Sequence, residues 1–387
     1  MPGWQEGNRH EESAVIITDV TTVSVHTVAA PVSLRRGGWL FVRVHTDEGL
    51  IGLGEASQGG DDDLVRAYVE RRLKRELVGR DPRQIEPLAT GLLARASGRV
   101  EATGVSAVEQ ALWDVWGQAL GQPIWALLGG RHRDRVVLYA NVNRATFDRS
   151  PAGFAENARR AVGDGFRAVK CAPFDDVSYR FPDREANLRG IAAGIERIAA
   201  IREAIGGGVR LMVDCHSRFD VPTAIQVARE LEPLDLAWLE EPVPSTDLDG
   251  LERIREHSPM PIAGGESLVG RTGFWEAVRR RVLDVIMPDV KHVGGILELR
   301  KVAALAEACA LSVSPHNPSG PVSTLASVHV CATIPNFLAL EYPWGETPWR
   351  GELLTPPEVL SDGAIAIPDR PGLGFALNEE TARAHQG

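Results

Sequence analysis

From about Val136 onward the chain alternates between two patterns. Short runs rich in β-branched residues alternate with stretches whose apolar residues recur at helical spacing. The strand-like runs are 136–142, 166–171, 209–214, 236–241, 261–263, 284–288, 311–315 and 337–341. Helical patterns between them include 186–205, 221–232, 271–280, 295–309 and 321–333. Eight strands at this cadence predict a parallel α/β barrel. An open doubly wound sheet is the competing fold, but it needs a glycine-rich phosphate turn after a strand, and none stands in the right place.

The first third of the chain reads differently. Residues 14–56 predict strands, with a hairpin from Trp39–His45 through Asp47-Glu48-Gly49 to Leu50–Glu55. Residues 62–95 read as helical. A second helix is expected from about Ser106 as N-cap, with Val108, Ala111, Leu112 and Val115 on one face, ending at Gly121-Gln-Pro123. Strands followed by helices make this part α+β. After Glu341 the chain turns rich in Pro and Gly and is expected to leave the barrel and pack back on the N-terminal part. The expected division is a loose tail at 1–13, an α+β domain at 14–135 joined by about 350–387, and a barrel at 136–349. The stretch Pro31–Gly38 reads equally as a flap or as an exposed turn.

The polar residues that close the strands carry the chemistry. Asp214, Glu240 and Glu266 each end an apolar run and are spaced by 26 residues at each step, about the length of one βα unit. That register places three carboxylates at the C-terminal rim of neighbouring strands, where such barrels act. A single strand-end acid is usually a helix cap. Three in register repel one another and call for a cation, and an all-oxygen set suits hard Mg²⁺. Lys170 ends the second strand, Asp289 the sixth, His316 the seventh and Glu341 the eighth. Side chains alternate along a strand, so Asp214 and His216 share a face while Cys215 points away. Asp289 on the neighbouring strand can reach His316, fixing its tautomer and leaving the other nitrogen as a base. Lys291 and His292, just past the sixth strand, read as a contact for a ligand or, the favoured reading, as a solvent-facing loop. The loop Pro173–Asn187, with Asp175, Asp176, Tyr179 and Arg180, reads equally as a contact for substrate hydroxyls or as polar surface.

Composition narrows the partners. The 387 residues are 44% apolar and carry a formal charge of −10, with no basic tract, so neither nucleic acid nor an anionic membrane is an expected partner. No apolar run approaches the roughly 20 residues of a membrane span, and the first 13 residues lack an apolar signal core. The four cysteines form no CxxC pair, which fits a reduced, cytoplasmic protein.

Several stretches resemble a known family: Ala-Val-Glu-Gln-Ala-Leu-Trp-Asp and Leu-Leu-Gly-Gly early on, then Val-Asp-Cys-His, Leu-Glu-Glu-Pro, Gly-Gly-Glu-Ser, Pro-Asp-Val-Lys-His-Val-Gly-Gly-Ile and Pro-His-Asn-Pro-Ser-Gly-Pro. The chain resembles the mandelate racemase/muconate lactonizing enzyme family of the enolase superfamily from about residue 14 to 375. That resemblance implies a capping α+β domain over a modified (β/α)7β barrel. It implies Mg²⁺ on Asp214, Glu240 and Glu266, and a His316–Asp289 dyad. A His or Lys base working with Mg²⁺ is an established arrangement in that superfamily. The shared step is removal of a proton α to a carboxylate. Lys170 would stabilise the developing charge, and Lys170 and Glu341 are candidates for contact with the substrate. One position departs from the racemases, which resemble one another in a Lys-x-Lys second strand. Here it reads Lys170-Cys171-Ala172, so position 172 offers no base. With Asp214-x-His216, the pattern is most similar to acid-sugar dehydratases of the galactonate type. His316 would take the α-proton, and His216 would protonate the departing 3-hydroxyl. The expected partner is a sugar-acid carboxylate, and the expected state a homo-oligomer. A racemase, epimerase or cycloisomerase is the second expectation, and a non-catalytic metabolite-binding or scaffold barrel the third.

Overall fold

The computed structural model describes residues 15–27, 38–179 and 183–386. The tail at 1–13, nearly all of the 31–38 stretch and Arg180 lie outside the described residues. The N-terminal part opens with an antiparallel sheet in the order β1 (Ile17–His26), β2 (Gly38–Thr46), β3 (Ile51–Glu55). Helix Arg99–Leu120 packs across it, burying Val108, Ala111, Leu112 and Val115.

One expectation here is refined and another needs correction. Residues 62–95 are two helical pieces: a run from Asp62 to Leu77 that passes through a π-turn at Val69–Leu73, and Ile85–Leu93. Gly79, at φ 84°, and Pro82 break them apart. The second helix begins at Arg99, so Ser106 is no N-cap. Ser106 is buried in mid-helix, where its hydroxyl donates to Ala102 O at 2.7 Å and accepts from Gly294 N at 2.9 Å. The apolar stripe was read correctly, but the polar first turn carried no pattern to mark the true start.

The barrel follows with parallel strands β4 (Arg135–Asn141), β5 (Ala168–Cys171), β6 (Arg210–Asp214), β7 (Leu236–Glu240), β8 (Ile262–Gly264), β9 (Val285–Ile286), β10 (Ser312–Val313) and β11 (Leu340–Pro343). Each pairs with the next in chain order from β4 to β10. β11 pairs with β4, and a parallel bridge between Val313 and Phe337 closes the ring. β9 and β10 are shorter than their apolar runs because Pro288 and Pro315 follow them, and proline donates nothing to a ladder. Inside the barrel, Tyr139, Ala168, Met212, Trp238, Ala263, Val285, Met287 and Ala339 form a separate apolar plug. The alternate residues Val169, Cys171, Leu211, Val213, Cys215 and Leu239 face outward into the larger core beneath the helices. Alternation therefore sets the next inward residues on top of the plug: Asn141, Lys170, Asp214, Glu240 and Glu341.

Four barrel helices start on a capping side chain of their own, namely Ser150, Asp183, Asp220 and Asp247. Two others, Ile296–Ala308 and Pro321–Thr333, have glycine at that position. The N-terminal part supplies their caps. Glu109 accepts from Ile296 N (2.7 Å) and Leu297 N (2.9 Å), and Glu55 accepts from Gly320 N (2.7 Å) and Ser323 N (2.8 Å). A Cβ on Gly295 would lie 2.0 Å from Glu109 Oε2, and one on Gly320 2.7 Å from Glu55 Oε2, so glycine lets each carboxylate approach.

After β11 the chain does two things rather than one. The hairpin Leu360–Ser361/Ala364–Ala366 extends the sheet antiparallel to β4. The helix Glu379–Ala384 then returns to the N-terminal sheet, where His26 N donates to His385 O at 2.8 Å and Arg43 pairs with Glu379. Among the described residues no helix is long and apolar enough to cross a membrane.

Candidate active site

At the C-terminal rim of β6, β7 and β8, carboxylate oxygens of Asp214, Glu240 and Glu266 all lie within 4.8 Å of one another. Lys170 reaches in from β5 with its side chain 1% exposed. Its Nζ donates to Glu240 Oε1 at 2.6 Å and lies 3.0 Å from Glu341 Oε1 and 3.9 Å from Asp214 Oδ2. From below, Trp238 Nε1 donates to the second Glu240 oxygen at 3.0 Å. Burial works against the charge on Lys170, but Glu240 and Glu341 outweigh it and hold the amine protonated, well above its ordinary pKa. Burial pushes Glu240 up to about 8 in spite of Lys170, and Asp214, Glu341 and Glu266 add to the rise. One ammonium thus undercompensates this cluster. Glu266 Oε2 is buried without an aligned hydrogen bond. A buried carboxylate oxygen without an aligned hydrogen bond, an all-oxygen donor set and excess negative charge fit a hard divalent cation.

The second group flanks the first. His316 donates through Nδ1 to Asp289 Oδ2 at 2.8 Å, and its Nε2 lies 3.0 Å from Glu266 Oε2. Burial opposes the imidazolium, yet Glu266 and Asp289 lift His316 to about 10. At the other end, His216 Nε2 lies 2.9 Å from Asp214 Oδ2. His216 sits at φ 48°, next to Ser217 at φ 55°, where a non-glycine backbone is rare. The Asp214 Oδ1 to His216 N hydrogen bond (2.8 Å) and the Ser217 N to Glu241 O bond (2.7 Å) hold that turn. Asp214 raises His216 to about 9 against burial. The side chain of His216 is 43% exposed, whereas that of His316 is 10% exposed. One imidazole therefore opens to the mouth and the other is enclosed.

The remaining expectations fall as follows. Glu341 is buried with both oxygens engaged, by Lys170, by Asn141 Nδ2 (2.6 Å) and by Asn317 N (2.9 Å), so it faces Lys170 and not the mouth. Ala172 is buried, and its carbonyl accepts from Arg149 Nη2 at 2.7 Å. Arg149 is itself committed to Asp175 and Asn143. Asp175 thereby belongs to the wall of the barrel mouth, and Asp175 O and Val177 O also accept from Arg218. The reading of Lys291 and His292 as solvent-facing is wrong. Both are buried behind Asp289, because the capping part covers the β9 loop. Asn141, Tyr139 and Trp238 were not singled out from sequence. The alternation that paired Asp214 with His216 marks them too, since Trp238 stands two before Glu240, and Tyr139 and Asn141 share the inward face of β4.

The comparisons agree with this architecture. Residues 13–129 match the family described as "Mandelate racemase / muconate lactonizing enzyme, N-terminal domain", and 153–381 match "Enolase C-terminal domain-like". The chain is 37% identical over 358 residues to the D-xylonate dehydratase of Haloferax volcanii, covering 90% of this chain and 85% of that one. It is 34% identical to the D-gluconate dehydratase of Thermoproteus tenax (90% and 69% covered) and 32% identical to the D-galactonate dehydratase of Pectobacterium atrosepticum (88% and 89%). The solved mandelate racemase/muconate lactonizing enzyme from Jannaschia sp. CCS1 superposes with a TM-score of 0.87 at 33% identity, over 96% of this chain and 98% of that one. With both halves matched, and with this fold around this cluster of side chains, the chain belongs to the mandelate racemase/muconate lactonizing enzyme family of the enolase superfamily.

Proposed function

We propose that the protein is a Mg²⁺-dependent sugar-acid dehydratase acting on an aldonate or aldarate. The observation that carries this reading is the pair of unlike histidines at the two ends of the acidic triad, with Ala172 where a second base would stand. The relatives named as xylonate, gluconate and galactonate dehydratases support the substrate class. Asp214, Glu240 and Glu266 would hold Mg²⁺, which supplies Lewis-acid stabilisation of charge on the substrate carboxylate.

The residues divide the work. His316 takes the proton from the carbon α to the carboxylate, and the C–H electrons pass into an enediolate. Asp289 on Nδ1 keeps Nε2 directed at that proton. A base must start neutral. With a cation held by Glu266, the part of the His316 rise that comes from Glu266 would be lost. Lys170, fixed by Glu341 from behind, offsets the enediolate charge in a water-poor pocket. The C3–O bond then breaks, His216 gives its proton to the leaving hydroxyl, and water departs. The enol tautomerises to a 2-keto-3-deoxy acid. The exposed position of His216 suits an acid working at the outer side of the substrate.

The test uses a panel of aldonic and aldaric acids with Mg²⁺ in D₂O. The native protein should form keto acid. His316→Asn should stop both dehydration and α-proton exchange. His216→Asn should slow dehydration while exchange persists. Inversion at the α-carbon with no keto acid would instead establish a racemase.

A further inference from the structure

Asp289 has more partners around it than a His–Asp pair requires: a buried ammonium from Lys291, and the His292 imidazole, which burial keeps neutral. Besides His316, its Oδ2 lies 3.6 Å from Lys291 Nζ and 3.7 Å from His292 Nε2, and its Oδ1 accepts from Lys291 N at 2.8 Å. The side chains of Lys291 and His292 are 5% and 3% exposed. The far end of each is held by the N-terminal part of the chain. Lys291 Nζ donates to Ser57 O at 3.1 Å, just past β3. His292 Nδ1 lies 2.8 Å from Thr103 Oγ1 on helix Arg99–Leu120. The Thr103 hydroxyl is also 3.0 Å from Gln58 Oε1, so the loop and the helix form one grip. Asp289 is the carboxylate within ion-pair distance of Lys291 among the described residues. An ammonium this deeply buried persists only when paired.

We propose that Lys291 is a positioning residue for the base. Held by Ser57 and assisted by His292 on Thr103, it keeps Asp289 anionic and aimed at His316, so that docking of the capping domain sets the dyad. Lys291, buried between Asp289 and Ser57, acts through Asp289. Without it, the fully buried Asp289 carboxylate loses its nearest fixed charge, and one of the groups orienting it becomes a single backbone N–H. The His316 ring then loses its fixed partner. Partners one layer behind a reacting group typically carry 10- to 100-fold in activity, on the order of what is expected here.

The test reads the dyad directly. In protein labelled with ¹⁵N-histidine, the low-field Nδ1–H resonance of His316 is identified by its loss in His316→Asn. Lys291→Met should move it upfield or broaden it, and Lys291→Arg should restore it. The kinetic half rests on the proposed dehydration: Lys291→Met should lower kcat roughly tenfold with KM within about twofold, again restored by Lys291→Arg. An unmoved resonance in folded Lys291→Met, or a moved one with native kcat, overturns the proposal. If the native protein dehydrates no sugar acid, the functional reading fails and the resonance still decides this one. Should Lys291→Met not fold, Thr103→Val, which frees His292, reads the same resonance, and a native signal there overturns the proposal.

Discussion

Lys170 carries a full positive charge where almost no water reaches, between Glu240 and Glu341. Under the proposed function its value is that it would already be in place when substrate charge develops, with nothing to reorganise. Lys170→Met should therefore lower kcat on the order of 10²-fold, as for a lost oxyanion donor, on whichever acid the native protein dehydrates. Glu240→Gln removes one charge from the cation set and leaves Lys170 with a weaker partner. Mg²⁺ titration by calorimetry should show severe loss of affinity, and retained native affinity would remove Glu240 from the set. At this scale the sequence was most informative where alternation applied. Lys170, Asp214, Glu240 and Glu341 could be read because β-strands give every second residue the same face, whereas Glu266, Asp289 and the two histidines stand just past their strands. Lys291 and His292 could not, because what buries them is a loop and a helix more than 180 positions earlier. Nothing local to Pro-Asp-Val-Lys-His distinguishes a covered loop from a wet one.

Among the elements, the helices Ile296–Ala308 and Pro321–Thr333 stand out because glutamates of the N-terminal part cap them. Glu109 is buried and satisfies two first-turn N–H groups and Trp113 Nε1. Glu109→Ala strands those donors, so stability in urea should fall by roughly 2 kcal/mol or more. Glu156→Ala, on an exposed helix face, should stay within about 0.5 kcal/mol. Equal effects would show that the interdomain caps carry no special weight. Helix existence was legible from periodicity, and 321–333 agrees residue for residue. Helix starts were less so: Ser106 looked like a cap and is a buried mid-helix residue, while the real interdomain caps are glutamates 187 and 268 positions from the amides they serve.

For the whole molecule, His329 is a lever on pH. It lies buried in helix Pro321–Thr333, accepting from Trp125 N through Nδ1 and donating through Nε2 to Leu373 O, so it joins the barrel to both chain-end segments. Burial drives its pKa down from 6.5 to about 4, only partly offset by Leu373 O. The folded protein keeps it neutral where the unfolded chain protonates it. Its contribution is complete above about 6.5 and is lost as pH falls through about 4, amounting to about 3 kcal/mol. Urea unfolding at pH 7.5 and pH 4 should show a smaller acid loss in His329→Gln than in the native protein, and an unchanged loss would assign the acid sensitivity elsewhere. The barrel could be read from its repeating unit. The split course of the last 40 or so residues could not, since short irregular strands carry no period.

The interdomain caps also impose an order in time. Glu55 is synthesised 265 positions before the Gly320 amide it accepts from. At ribosomal rates of about 5–20 residues per second, that partner follows tens of seconds later. Through that interval the young sheet carries acids meant for burial and must leave them in water. The N-terminal part can bury its own apolar core in that interval, but the Glu55 and Glu109 contacts stay unmade. Those contacts form only when the helices Ile296–Ala308 and Pro321–Thr333 arrive, and a chain stopped short of them should be cut by proteases more readily in its N-terminal part than the full chain.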